Sequence, residues 1–234
     1  MNDRILLIDK PAGWTSFDVV AKIRGKIRAQ YTERGEKPTK RQLRVGHAGT
    51  LDPFATGLLI VLLGEECKRA GEFLKLDKTY AATIYLGETS TTGDSEGDIV
   101  AVSDTVPTKE AVLGALGHFK GVITQVPPSY SAIKINGQRA YKLAREGKTV
   151  DIPERTVTIH SLDLLEYTYP EVTIRTSVSS GTYIRTLAED IGKALGTGAY
   201  CSQLRRTAID SYLLETAVTI EDLNIEPVSG TVDP

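Results

Sequence analysis

Residues 44–57 read Arg-Val-Gly-His-Ala-Gly-Thr-Leu-Asp-Pro-Phe-Ala-Thr-Gly, and no other stretch limits the fold as much. Three glycines and a proline exclude a regular helix here. Gly46, Gly49 and Gly57 admit positive φ and close backbone approach, while Pro53 fixes its own φ and pushes Asp52 towards extended geometry. Directly afterwards comes the longest unbroken apolar run, Leu58 to Leu63, bounded by Gly57 and Gly64, which predicts a buried strand. The segment is therefore a shaped loop feeding a core strand, and it carries one histidine, His47, and one carboxylate, Asp52. Loops on a rigid scaffold often carry chemistry. Asp before Pro is also ordinary turn chemistry, and spacing alone favours the turn.

At 234 residues the chain is long enough for one large domain or two small ones. The absence of a clean linker, repeat or low-complexity tract predicts a single domain over residues 1–234. With 41% apolar and 25% charged residues the composition fits a soluble globular protein. The apolar run is too short to cross a bilayer. The start, Met-Asn-Asp-Arg-Ile-Leu-Leu-Ile-Asp-Lys, lacks the basic opening, long apolar core and cleavage site of a signal peptide. Cytoplasmic residence is the expectation. Cys67 and Cys201 form no spaced motif, and His47, His118 and His160 show no ligand spacing, so neither a disulfide framework nor a metal site is expected.

The net charge of −2 hides an uneven distribution. From Lys22 to Arg44 there are nine Lys/Arg and two Glu; from Ile209 onward there are six Asp/Glu and no Lys/Arg. A local basic stripe is what phosphate binding requires. A solvated helix face followed by a loop produces the same pattern, so the two readings stand level here.

Ile5 to Ile8 predicts a strand. Thr15 followed by Asp18 has the spacing of a capping box, and Val20, Ile23 and Ile27 predict an amphipathic helix from Ser16 to about Arg28, then a loop over residues 29–43. Helices are expected over Glu65–Leu74, Lys109–Phe119, Arg139–Glu146 and Tyr183–Leu195, with Gly147 and Gly196 as stop signals. Thr79–Leu86 predicts a strand, Gly87–Gly97 a loop and Pro127–Tyr130 an extended turn. Thr156–Tyr167 and Val172–Val178 alternate as paired strands, while Tyr200–Arg206 and Ile220–Leu223 predict helical turns. Irregular alternation of helices with hairpin-like strand pairs gives a mixed sheet in an α+β class.

Seven segments along the chain carry a resemblance. Gly46-His47-Ala48-Gly49-Thr50-Leu51-Asp52-Pro53 with Ala55-Thr56-Gly57-Leu58-Leu59 resembles the signature of the TruB family of RNA pseudouridine synthases. Lys10-Pro11-Ala12-Gly13-Trp14-Thr15-Ser16 resembles that family's opening segment, and Asp77-Lys78-Thr79-Tyr80 its second motif. Pro127-Pro128-Ser129-Tyr130-Ser131-Ala132-Ile133-Lys134 and Gly137-Gln138-Arg139-Ala140-Tyr141-Lys142-Leu143-Ala144-Arg145 resemble the next two. Ser180-Gly181-Thr182-Tyr183-Ile184-Arg185-Thr186-Leu187-Ala188 resembles the last catalytic motif, and Leu204-Arg205-Arg206-Thr207 closes the set.

The resemblance implies the pseudouridine synthase fold, a central, mostly antiparallel mixed sheet with flanking helices and a catalytic cleft. It implies an isomerase that makes pseudouridine at position 55 in the T-arm of tRNA. Asp52 matches the catalytic carboxylate, Tyr80 the tyrosine that stacks on the base, and Arg185 the arginine that pairs with the carboxylate. Tyr183 and Leu204 match pocket residues, and His47 a histidine that contacts RNA during flipping. Lys68 falls where the family often has a basic residue, although Cys67-Lys68-Arg69 departs from the usual run there. The reaction breaks an N-glycosidic bond and makes a carbon–carbon bond, so no cofactor is expected. Asp52 attacks the sugar, attacks the base or triggers elimination; the residues do not choose among these. The target uridine must leave its stack to react, and stacking on an aromatic ring is worth roughly 1–3 kcal/mol.

Bacterial members usually continue into a PUA-type RNA-binding domain, and about a dozen residues after Ile220-Glu221-Asp222-Leu223 leave no room for one. The expectation is a stand-alone monomer without a guide RNA, which holds tRNA through the catalytic domain and the 22–44 segment. Two other classes are weighed against this. A non-catalytic RNA-binding protein has no need of Asp52, Tyr80 and Arg185 together. A nucleotidyltransferase needs its Gly-His-x-Gly motif near the N-terminus, within a βα unit that binds nucleotide, whereas here Leu-Asp-Pro and a strand follow the motif.

Overall fold

A computed structural model describes residues 4–131, 133–135, 137–146 and 151–225. In chain order the elements are β1 (Arg4–Lys10), α1 (Ser16–Glu33), β2 (Val45–Ala48), β3 (Thr56–Leu63), a 3-10 helix (Gly64–Arg69), α2 (Ala70–Leu74), β4 (Lys78–Leu86), β5 (Glu88–Ser90) and β6 (Ile99–Ala101). There follow α3 (Lys109–His118), β7 (Gly121–Gln125), β8 (Lys134–Ile135), β9 (Gln138–Arg139), α4 (Ala140–Arg145), β10 (Arg155–Thr168), β11 (Glu171–Val178), α5 (Ile184–Leu195), β12 (Ala199–Ile209), β13 (Tyr212–Leu213) and a last 3-10 helix (Leu214–Thr216). The chain divides into two units, one of residues up to Lys78 with those from Arg205 onward, the other from Thr79 to Leu204.

In the first unit β3 is the organising strand. β1 runs antiparallel along it from Arg4 opposite Leu63 to Lys10 opposite Gly57, and β2 pairs antiparallel from Val45 opposite Leu63 to Ala48 opposite Ile60. The end of β12 lies parallel to it, with Arg206 opposite Gly57. The continuous apolar run then follows from two-sided burial. Leu59, Val61 and Leu63 enter a cluster with Val19, Val20, Ile23 and Ile27 of α1, whereas Leu58, Ile60 and Leu62 enter a second cluster with Phe73 and Ile209. Each such side chain contributes about 1.5–3 kcal/mol relative to exposure.

The capping box of α1 is formed. The Asp18 N–H donates to Thr15 Oγ1 at 3.1 Å, and the Thr15 N–H donates to Asp18 Oδ2 at 2.8 Å, worth about 1 kcal/mol. α1 outruns its expected end at Arg28 by more than a turn, because Tyr31 continues the Ile23–Ile27 stripe onto the same core. The helix expected over Glu65–Leu74 is instead a 3-10 helix followed by α2. The pairs Glu65–Lys68 and Glu66–Arg69 sit three residues apart, the spacing that a 3-10 turn brings into line.

In the second unit the first half of β12, β4, β11, β10 and β7 lie side by side in that order. β10 pairs antiparallel with β11 and with β7. α3 packs on α5 and on β10. Ile184, Leu187, Ala188 and Ile191 form the buried face of α5, which stops at Gly196 with φ 70°, the left-handed cap glycine adopts most readily. Antiparallel pairs together with the parallel junction of β12 and β3, flanked by helices, are the predicted mixed α+β sheet. Two local expectations fail. Tyr200–Arg206 is not a helical turn but the middle of β12, where pairing with neighbouring strands overrides an ambiguous local pattern. The Gly87–Gly97 loop contains β5, which pairs with β6. The Gly147 stop signal lies outside the described residues.

Candidate functional site

In the first unit the loop from Gly49 to Ala55 carries Asp52, which is partly buried. Several buried polar side chains meet the loop backbone. Ser16 Oγ accepts from Leu51 N–H at 2.9 Å and donates to the Leu51 carbonyl at 3.2 Å. Lys10, fully buried, donates from Nζ to the carbonyls of Trp14 at 2.7 Å, Pro11 at 2.8 Å and Pro53 at 3.3 Å. Gly13 N–H also donates to the Pro53 carbonyl, at 2.8 Å. Arg206 donates from Nε to Leu58 O at 2.7 Å, from Nη2 to Gly49 O at 3.0 Å and from Nη1 to Thr50 O at 3.4 Å. A Cβ on Gly57, at φ 99°, would lie 2.3 Å from the Arg206 carbonyl oxygen, so only glycine fits where the loop enters β3.

His47 sits on β2 opposite Val61 and is partly exposed. Lys68 lies on the 3-10 helix with its side chain 70% exposed and pairs with Glu65. Glu65 also holds Arg44 Nη1 at 2.8 Å and Arg41 Nε at 3.8 Å. The Lys68 hydrogen bond, with the charges of Arg44 and Arg41, keeps this carboxyl below the usual carboxylate range. Within the basic segment, Lys26 donates to the carbonyls of Ile220 at 2.6 Å and Leu223 at 2.9 Å, and Arg24 donates to the Val45 carbonyl. Lys22, Arg28, Lys37 and Lys40 are exposed.

The second unit carries the other four predicted residues. Tyr80 on β4 and Leu204 on β12 are buried. Tyr183 precedes α5, and the Gln125 side chain meets both of its backbone groups. Tyr183 N–H donates to Gln125 Oε1 at 3.1 Å and Gln125 Nε2 donates to the Tyr183 carbonyl at 3.2 Å. The Arg155 guanidinium lies 5.4 Å from the centre of the Tyr183 ring. Two residues on, Arg185 is buried and donates from Nη1 to Asp94 Oδ2 at 3.0 Å and to the Thr92 carbonyl at 2.8 Å, and from Nη2 to the Tyr130 carbonyl at 2.9 Å. Asp94, also buried, accepts at Oδ1 from Thr92 Oγ1 at 2.6 Å and Glu96 N–H at 3.0 Å. Burial pushes the nearby Glu189 carboxyl up, against the charge of Lys193.

The structure thus groups Asp52, His47 and Lys68 in one unit, and Tyr80, Tyr183, Arg185 and Leu204 in the other. Sequence reasoning missed Asp94, Gln125, Arg206 and Ser16. Ser16 and Arg206 lie inside quoted motifs. Asp94 sits in a polar loop without a distinguishing neighbour, and nothing local marks Gln125. No group of three or more His, Cys, Asp or Glu able to hold a metal ion occurs among the described residues, and no described helix is long and apolar enough to cross a membrane.

The shaped Asp-Pro loop on a mixed α+β sheet fits a pseudouridylate synthase, and comparison with known proteins shows that class. The family model described as TruB family pseudouridylate synthase (N terminal domain) matches residues 37–184, and that described as tRNA pseudouridylate synthase B C-terminal domain matches residues 185–228. The chain belongs to the TruB family, whose members are isomerases. It is 46% identical over 222 residues to the tRNA pseudouridine synthase B of Burkholderia mallei, across 95% of this chain and 69% of that protein. It is 45% identical over 224 residues to the protein of the same name from Cupriavidus metallidurans, across 95% of this chain and 67% of that protein. Among solved structures it resembles a chain of a Cbf5-Nop10-Gar1 complex, with TM-score 0.69 and 32% identity over 94% of this chain. A second is a chain of an H/ACA RNP bound to a substrate RNA containing 2'-deoxyuridine, with TM-score 0.65 and 30% identity over 94% of this chain. The chain spans 53% and 51% of those two, about half their length.

Proposed function

We propose that the protein isomerises uridine 55 in the T-arm of tRNA to pseudouridine, with Asp52 as the essential carboxylate. The observation that carries this reading is 46% identity, over 95% of the chain, to a protein named tRNA pseudouridine synthase B. In the reaction the bond from the ribose C1' to N1 breaks, the base turns, and a bond from C1' to C5 forms. The C5 proton leaves and N1 gains one, so atoms and electrons balance without a redox partner. Asp52 acts on the sugar, on the base or by triggering elimination. Arg185 matches the family motif whose arginine pairs with the catalytic carboxylate, and we assign it that role here. Tyr80 stacks on the extruded base, Tyr183 and Leu204 line its pocket, and His47 handles the flipped nucleotide. Lys68 adds a positive charge nearby. The exposed cations between Lys22 and Arg44 follow phosphates by charge, largely without reading sequence. In this reading the chain is a single catalytic domain that works in the cytoplasm as a monomer, with neither cofactor nor guide RNA.

The test is release of hydrogen label from C5 of uridine in an unmodified tRNA transcript. The parent protein releases it from position 55, and Asp52→Asn does not. Release by Asp52→Asn at the parental rate refutes the assignment. Binding of tRNA without release by the parent protein points instead to a non-catalytic RNA-binding role.

A further inference from the structure

Arg206 is among the largest fully buried side chains of the protein, and its three hydrogen bonds go to carbonyls of Gly49, Thr50 and Leu58. Two of these precede Asp52 and one follows it, so a single guanidinium ties together both ends of the loop. Its own backbone lies opposite Gly57 in the parallel junction with β3, where a side chain cannot be accommodated. Ser16, 2% exposed at the start of α1, adds an independent hold by meeting both backbone groups of Leu51, the residue before Asp52.

Stability alone does not explain this arrangement. Taking a guanidinium out of water is costly, and replacing a buried ion by a well-packed apolar side chain is often neutral or stabilising. A planar fork of donors, however, can span carbonyls on either side of the loop in one relative geometry; an apolar side chain cannot, and an ammonium, whose three donors radiate from one nitrogen, has less reach at this position. We infer that Arg206 and Ser16 are positioning residues for Asp52. They hold the loop backbone so that the carboxylate is presented in one place. Displacing a reacting group by about 1 Å costs on the order of 100-fold in rate. The inference rests on the reading of Asp52 as the reacting carboxylate.

The experiment measures the single-turnover rate of pseudouridine formation, the tRNA dissociation constant and the cooperativity of unfolding for the parent, Asp52→Asn, Arg206→Lys, Ser16→Ala and Ile27→Val. Ile27→Val is a core control in the α1 cluster, away from the loop. Arg206→Lys lowers the rate at least about 10-fold while tRNA affinity stays within about threefold and unfolding stays cooperative. Ser16→Ala lowers the rate by a smaller factor in the same way, and Ile27→Val stays near the parent. A folded Arg206→Lys at the parental rate, a loss confined to affinity, or an equal loss in Ile27→Val overturns the inference. Should Arg206→Lys fail to fold, Ser16→Ala decides, and a parental rate there overturns it. An active Asp52→Asn overturns the Asp52 reading itself, whereas an inactive Asp52→Asn with an unimpaired Arg206→Lys overturns the positioning inference alone.

Discussion

Gln125 is a demanding test of how α5 is set in place. It ends β7, is 1% exposed, and accepts the Tyr183 N–H while donating to the Tyr183 carbonyl. That carbonyl also accepts from Leu187 N–H at 3.1 Å. Gln125→Leu therefore leaves the carbonyl bonded and strips the N–H of its acceptor. A buried donor without an acceptor costs about 1–3 kcal/mol, partly offset by the apolar replacement, so a net loss of about 2 kcal/mol is expected. In a protein of this size that lowers the melting temperature by roughly 4–8 °C. Gln125→Glu separates the two bonds. An ionised carboxylate still accepts the N–H but opposes the carbonyl, whereas the protonated form donates to it. Burial raises the folded pKa of the introduced Glu above its unfolded value of about 4.3. Its stability relative to the parent is therefore greatest below that value, falls as pH rises towards the folded pKa, and is level beyond it. Urea unfolding of the three proteins between pH 4 and 8 reads all of this. The reasoning is refuted by a Gln125→Leu protein within about 0.5 kcal/mol of the parent, or by a Gln125→Glu deficit that does not change with pH.

Gly57→Ala forces a Cβ against the Arg206 backbone at a positive φ, so a loss above about 3 kcal/mol is expected in denaturant titration; a loss under about 1 kcal/mol contradicts the close approach. Lys78 is buried and donates from Nζ to the Phe73, Leu74 and Leu76 carbonyls, and burial, with the charge of Arg206, pushes its pKa down to about 8. The unfolded value of 10.5 is higher, so the unfolded chain binds more protons between the two, and stability rises with pH across that window by roughly 3 kcal/mol at most. Relative to Lys78→Met the parent gains stability from pH 8 to 10.5; parallel curves of unfolding free energy against pH refute the shift.

The parts of the fold that were legible in the sequence are those where local pattern and tertiary environment agree. Thr15 and Asp18 form their box, Val20, Ile23 and Ile27 face the core, and Gly196 caps α5 in the left-handed region. β12 was illegible because its Ser202, Gln203 and Arg205 carry no strong strand preference, and its conformation comes from the strands beside it. The predicted site residues came from ordered motifs, not from periodicity. What the motifs could not reveal is the partnership of residues distant in sequence. Arg185 meets Asp94 across 91 positions, and Arg206 meets Gly49 across 157. A buried polar side chain is explained by its acceptors, and those acceptors here are mostly carbonyls, which every residue possesses and no sequence pattern marks.

The ion cluster around Glu65 changes how the basic segment should be counted. Of its nine cations, Arg41 and Arg44 share the single carboxylate of Glu65 with Lys68, and Lys26 and Arg24 donate to backbone carbonyls. Counterions are displaced from an RNA only by charges that reach its phosphates. The response of affinity to salt is therefore shallower than nine positive charges imply, and each phosphate that recruits Arg41 or Arg44 must first compete with a carboxylate already in place. In the proposed RNA-binding role of this segment, Glu65 is thus a competitor that phosphate must displace from Arg41 and Arg44.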